Sequence, residues 1–137
     1  MRQAAPFNGA LHLPDCHEDI AIQHRLNDEI PAKLADLGLT GWHLDGGWLR
    51  RKFTTDGWPQ TLMAVNAVGF LCEAAWHHAD LSVTWGKFWV KLRTHDAGGI
   101  TDKDFELAKK VEEVVLYRPA TGAALAPGNP KKFVFTK

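Results

Sequence analysis

Three histidines carry the chemistry this sequence offers. His77 and His78 are adjacent and close an apolar helical pattern, and His95 ends a β-like run inside Thr94-His95-Asp96-Ala97-Gly98-Gly99. Imidazole has an unperturbed pKa of about 6.5, so both of its protonation states coexist near neutrality and it can give or take a proton. Neighbours on a helix point about 100° apart. His77 and His78 are therefore expected to divide the work, one facing a ligand while the other orients it. Glu73 precedes His77 by four residues, a spacing at which a carboxylate can hydrogen-bond the ring and fix its tautomer. His95 and Thr94 leave their strand on opposite faces, and the small residues that follow leave room for a ligand at a loop end. Taken singly, each piece has a plainer reading as a solvated histidine or a strand end.

The elements that must position these residues follow from periodicity. From about Asp19 to Leu37, apolar Ile22, Leu26, Ile30, Leu34 and Leu37 recur at helical steps, and Gly38 is a plausible stop. Pro31 sits inside that pattern and would also fit the first turn of a shorter helix. Trp42 to Leu44, the turn signal Asp45-Gly46-Gly47 and Trp48 to Phe53 read as a β-hairpin, broken by Thr54-Thr55-Asp56-Gly57. Leu62, Val65, Gly69, Cys72 and Trp76 mark the stripe of a long helix. Two alternating runs flank Trp85-Gly86-Lys87, the second running from Phe88 to Thr94. Thr101 and Asp104 resemble a capping pair before a last helix marked by Phe105, Ala108, Val111 and Val115. The order α-β-β-α-β-β-α predicts an α+β domain, a four-stranded antiparallel sheet with three helices packed on one face. Residues 1–21 read as an N-terminal extension, 22–116 as the domain, and 117–137 as a tail in which Phe133 to Phe135 could add an edge strand.

Composition narrows the partners. Sixteen Lys and Arg balance sixteen Asp and Glu in 137 residues, so no overall field draws the chain to nucleic acid or an anionic membrane. Only Cys16 and Cys72 are present, which argues against a disulfide scaffold and for the cytoplasm. The first twenty residues lack an apolar stretch, so neither a signal peptide nor a membrane anchor is expected. Glycine-rich phosphate loops, basic stripes and nucleophile signatures are absent. A zinc site built from His77, His78 and His95 is disfavoured by the divergence of adjacent histidines, and Cys16, His12 and His17 have no recognised metal-ligand spacing.

Together, Glu73, His77-His78, Ala79, Trp85, His95 and Asp104 resemble the signature of the pterin-4a-carbinolamine dehydratases, also called 4a-hydroxytetrahydrobiopterin dehydratases. The likeness extends through Asp96 to Thr101 and covers roughly residues 22 to 115. One departure is Ala79, where the family pattern has Pro, Cys or Ser; alanine leaves the histidine segment more backbone freedom than proline would.

The resemblance implies a hydro-lyase that removes water from 4a-hydroxytetrahydropterin to give quinonoid dihydropterin, in the recycling of the pterin used by aromatic amino acid hydroxylases. It implies His77 and His95 as the acid–base pair and His78 as a substrate-orienting residue, with pterin contacts at His77 to Ala79 and Thr94 to Ala97. It implies no metal or organic cofactor, and assembly into a homodimer or homotetramer. The competing reading is a non-catalytic binding protein on the same scaffold, similar to a Rubisco assembly factor or a transcription dimerisation cofactor. Retention of all three histidines favours the enzyme.

Overall fold

The computed structural model describes residues 27–135. The expected N-terminal extension and the part of the first helix stripe carried by Ile22 and Leu26 lie outside the described residues. Helix α1 occupies 27–36 with Pro31 inside it, so helical residues precede the proline and the shorter helix starting at Pro31 is excluded. Ile30 and Leu34 point into the core, as their spacing requires.

Strands β1 (Trp42–Asp45) and β2 (Trp48–Thr55) form a hairpin whose two-residue loop is Gly46-Gly47. Both glycines have positive φ, 59° and 81°, a turn that side chains with a Cβ resist and that matches the twist of the paired strands. Strand β2 runs two residues further than the hydropathy pattern indicates, because Thr54 and Thr55 pair with β5 (Val134–Phe135). The tail thus returns to the sheet, with Val134 buried.

Strands β3 (Asp80–Thr84) and β4 (Lys87–Leu92) form a second hairpin, and β4 pairs with β2, giving the antiparallel order β1-β2-β4-β3 with β5 on β2. Helices α2 (Trp58–Ala75) and α3 (Asp102–Val115) join α1 on one face. The core is Leu49 and Phe53 of β2, Phe88, Val90 and Leu92 of β4, and the inward stripes of the helices. Phe53 and Phe88 are register partners whose rings stack at 5.1 Å. Arg51 also points inward; its guanidinium meets Glu112 of α3 at 2.5 Å, and the Trp42 indole donates to the same carboxylate oxygen at 2.9 Å. That ion pair ties the sheet to α3 across an interior where an isolated charge would be costly.

The stripe expected for α2 is corrected in part by the structure: Cys72 is buried and Val65 packs against the core, but the other three positions face outward. Its buried residues are Thr61, Ala64, Val68 and Cys72, whereas Leu62, Trp76 and Gly69 are exposed. Glu73 is the one charged residue in eighteen, so hydropathy is nearly uniform around the helix and cannot mark its inner face. Small side chains face inward because α2 lies close to the sheet and α3. Met63 (60% exposed) and Phe70 (72%) face outward instead.

Among the described residues no helix packs on the opposite face of the sheet. Trp48, Arg50 and Lys52 of β2 alternate outward there beside Trp89 and Lys91 of β4. No helix among the described residues is long and apolar enough to cross a membrane.

Candidate active site

Helix α2 ends in a reversal that releases the histidine pair. Trp76 takes a left-handed conformation (φ 51°, ψ 42°); its N–H donates to the carbonyl of Glu73 at 3.2 Å and the His77 N–H to that of Cys72 at 3.1 Å. This is a Schellman cap with tryptophan where glycine is usual. His77 and His78 therefore lie beyond the helix, in the link to β3, and the 100° divergence of helical neighbours does not govern them.

Each histidine meets a carboxylate, but not in the expected pairing. Glu73 does not hold His77; its Oε2 lies 2.7 Å from Nε2 of His78, on an exposed surface where the Trp76 ring also packs edge-on against the imidazole at 5.2 Å. His77 turns inward, its Nε2 2.6 Å from Oδ1 of Asp104. The reversal at Trp76 explains the exchange, because the four-residue spacing from Glu73 counts only while the helix continues.

Asp104 joins three segments. It is fully buried, and its Oδ2 accepts from the Thr94 hydroxyl at 2.8 Å and from the Thr101 backbone N–H at 2.9 Å, the latter being the capping interaction the sequence predicts. The Thr94 proton goes to Asp104, so the Thr101 hydroxyl, 2.7 Å away, donates to Thr94. The carboxylate thus fastens the end of α2, the end of β4 and the first turn of α3. Because a carboxylate only accepts, Nε2 of neutral His77 carries its proton and Nδ1 is left as the acceptor.

Thr94 and His95 diverge as their alternation predicts, Thr94 inward to Asp104 and His95 outward. β4 ends two residues earlier than the run to Thr94, and a single 3-10 turn, His95–Ala97, follows, closed by backbone bonds between Thr94 and Gly99. Gly98 has φ 65°, which the turn's end requires. The His95 ring packs edge-on against Trp48 at 5.7 Å. Asp96 is exposed, Ala97 half-buried. Ala79 is half-buried against the core just before β3.

His77 borders a groove of ≈ 470 Å³ between α2 and α3, lined also by Trp76, Leu107, Lys103, Glu106 and Lys110. His78 and His95 do not line it. Trp85 stands apart as well. It occupies the β3–β4 turn, at the opposite end of the two strands from the histidines, and is 68% exposed, its carbonyl accepting from Thr61 at 2.9 Å. Among the described residues no group of three His, Cys, Asp or Glu side chains could hold a metal ion. Sequence reasoning passed over Trp48 and the inward orientation of Asp104; the place of Trp48 directly after Gly46-Gly47, opposite the end of β4, becomes visible only with the strand register.

Residues 24–114 match the family described as pterin 4 alpha carbinolamine dehydratase, and the chain belongs to that family. It is 43% identical over 88 residues to a protein of Aquifex aeolicus named "Putative pterin-4-alpha-carbinolamine dehydratase", an overlap of 64% of this chain and 87% of that one. A protein of the same name from Roseiflexus castenholzii is 45% identical over 91 residues, 66% of this chain and 96% of the other. The fold is similar to a crystal structure described as a transcriptional coactivator/pterin dehydratase from Brucella melitensis, with a TM-score of 0.55 at 20% identity, covering 61% of this chain and 94% of that one.

Proposed function

We propose that the chain is a 4a-hydroxytetrahydropterin dehydratase. The observation that carries this reading is the His77–Asp104 pair, in which a buried carboxylate fixes one ring nitrogen and leaves the other for proton transfer. In the reaction the N5 proton passes to a base, the C4a–O bond breaks as the hydroxyl takes a proton from an acid, and water leaves as the C4a=N5 double bond forms. Hydroxide is a poor leaving group without that proton, and a positioned acid or base typically contributes about 10²–10⁴-fold. His77 and His95 are the acid–base pair, and His78, exposed beside Glu73 and Trp76, orients the substrate together with the backbone of Ala79 and Thr94 to Ala97. The product is quinonoid dihydropterin, which a separate reductase returns to the tetrahydropterin that aromatic amino acid hydroxylases use, and the cytoplasm is the compartment in which this takes place.

A second reading, as a binding protein on the same scaffold, draws on the outward apolar residues of α2. Exposed Leu62, Met63 and Phe70 form the kind of surface that marks a contact with another protein. We assign that surface to self-association into a homodimer or homotetramer, which leaves the histidines to catalysis. The deciding experiment follows decay of synthetic 4a-hydroxytetrahydropterin by absorbance. Acceleration by the purified chain supports the enzyme; decay at the spontaneous rate, with a stoichiometric protein partner recovered, supports the binding role.

A further inference from the structure

Beside His95, the outward face of the sheet holds cationic side chains that no carboxylate among the described residues neutralises. The Lys91 ammonium lies 4.7 Å from the centroid of the Trp48 ring and the Arg93 guanidinium 6.0 Å from it, and the same indole meets the His95 ring in a T-shaped contact. Arg50, further along the face, is paired with Asp45 at 2.6 Å, whereas among the described residues neither Lys91 nor Arg93 has a carboxylate oxygen within 4.0 Å. Asp80 is the register partner of Lys91 on β3, yet the ammonium turns to Trp48 on the β2 side.

Arg93 is held in place rather than loose in solvent. Its Nη2 donates to the carbonyl of Gly98 at 2.9 Å, inside the loop that carries His95, and its Nε–H is enclosed with no acceptor among the described residues. A cation fixed to the His95 turn, with a second cation on the shared tryptophan, gives two positive charges at one edge of the proposed site. The net charge of the whole chain is zero, so this is a local field and not a general attraction for anions. By contrast, the lysines in the groove beside His77 stand with acidic neighbours: Glu106 lines the groove with Lys103, and Lys110 pairs with Glu113 at 3.1 Å.

We propose that the substrate is a pterin whose side chain ends in an anionic group, a phosphate or a carboxylate, received by Lys91 and Arg93 alongside Trp48. This rests on the dehydratase reading and adds a substrate class to it. Charge-assisted hydrogen bonds to such a group are stronger than those to a hydroxyl, and the guanidinium and ammonium supply only donors. The preference appears in kcat/KM and weakens as salt screens the charges.

The test compares dehydration of three 4a-hydroxytetrahydropterins, with a neutral hydroxylated, a phosphorylated and a carboxylated side chain, by the full chain and by its K91Q/R93Q variant. The expected result is a preference of about tenfold for at least one anionic substrate over the neutral one, the size of two partly exposed charge contacts. That preference is lost in K91Q/R93Q and kept in K87Q, which removes one charge from the far end of β4. Whichever anionic substrate is preferred identifies the group. Equal kcat/KM for all three substrates, or a preference removed by K103Q/K110Q or K87Q instead, overturns the inference while leaving the dehydratase intact. Turnover of none of the three defeats the dehydratase reading, and this inference with it.

Discussion

Nε2 of His77 and Oδ1 of Asp104 lie 2.6 Å apart at the junction of α2 and α3, with the carboxylate fully buried and the imidazole side chain 14% exposed. The contact is structural as well as chemical, because the other oxygen of Asp104 holds Thr94 and the N-terminus of α3.

Replacing Asp104 is expected to cost both stability and activity. Asp104→Ala leaves the Thr101 N–H and the Thr94 hydroxyl without their acceptor, a loss of about 1–3 kcal/mol for a buried group left unsatisfied. Asp104→Asn keeps the shape and one carbonyl oxygen, so it is expected to lose less stability while still lowering dehydration about 10-fold or more through misorientation of His77. Urea unfolding and kcat, measured on both variants, check the pair. Full activity in folded Asp104→Asn would show that His77 does not depend on the carboxylate.

Trp76 occupies a conformation that costs an L-residue about 1–2 kcal/mol. Glycine at this position is therefore expected to be more stable than alanine by about 1 kcal/mol, the reverse of their order inside a helix. The comparison of Trp76→Gly with Trp76→Ala by thermal unfolding removes the indole in both and isolates the backbone. Alanine as stable as glycine would contradict the left-handed cap.

Burial pushes the Cys72 thiol above its ordinary range, an effect only partly offset by backbone N–H groups of Ala79 and Cys72 itself. As pH rises past about 8.5, the unfolded chain gives up this proton while the folded chain keeps it. The thiol's contribution to stability is thus fully present below that value and declines as pH increases towards the raised folded value. In a Cys16→Ser background, urea midpoints between pH 7.5 and 9.5 are expected to fall more steeply with Cys72 present than in Cys72→Ala. Identical slopes would contradict the burial of the thiol.

The sequence carried much of this architecture, for reasons tied to particular residues. Asp45-Gly46-Gly47 marked the first hairpin because few other residues accept its backbone, and Phe88, Val90 and Leu92 marked β4 because only one of its faces is buried. Helix α2 was legible as a helix but not in its orientation, since an apolar surface all round gives periodicity nothing to register. The histidines were legible as a group through their spacing to Glu73 and Asp104. Their partners were not, because a left-handed tryptophan ends the helix one residue before them and no propensity favours tryptophan there. The cations around Trp48 were hidden in a balanced composition, and strand pairing is what gathers them.

The most direct measurement is the rate at which 4a-hydroxytetrahydropterin decays in the presence of the chain carrying both His77→Ala and His95→Ala, alongside the unmodified protein and each single variant. The expected result is strong acceleration by the unmodified chain, a loss of about 10²–10⁴-fold in each single variant, and the spontaneous rate in the double variant, with all four proteins folded. A double variant that accelerates decay as the unmodified chain does would contradict the assignment of His77 and His95 as the acid–base pair.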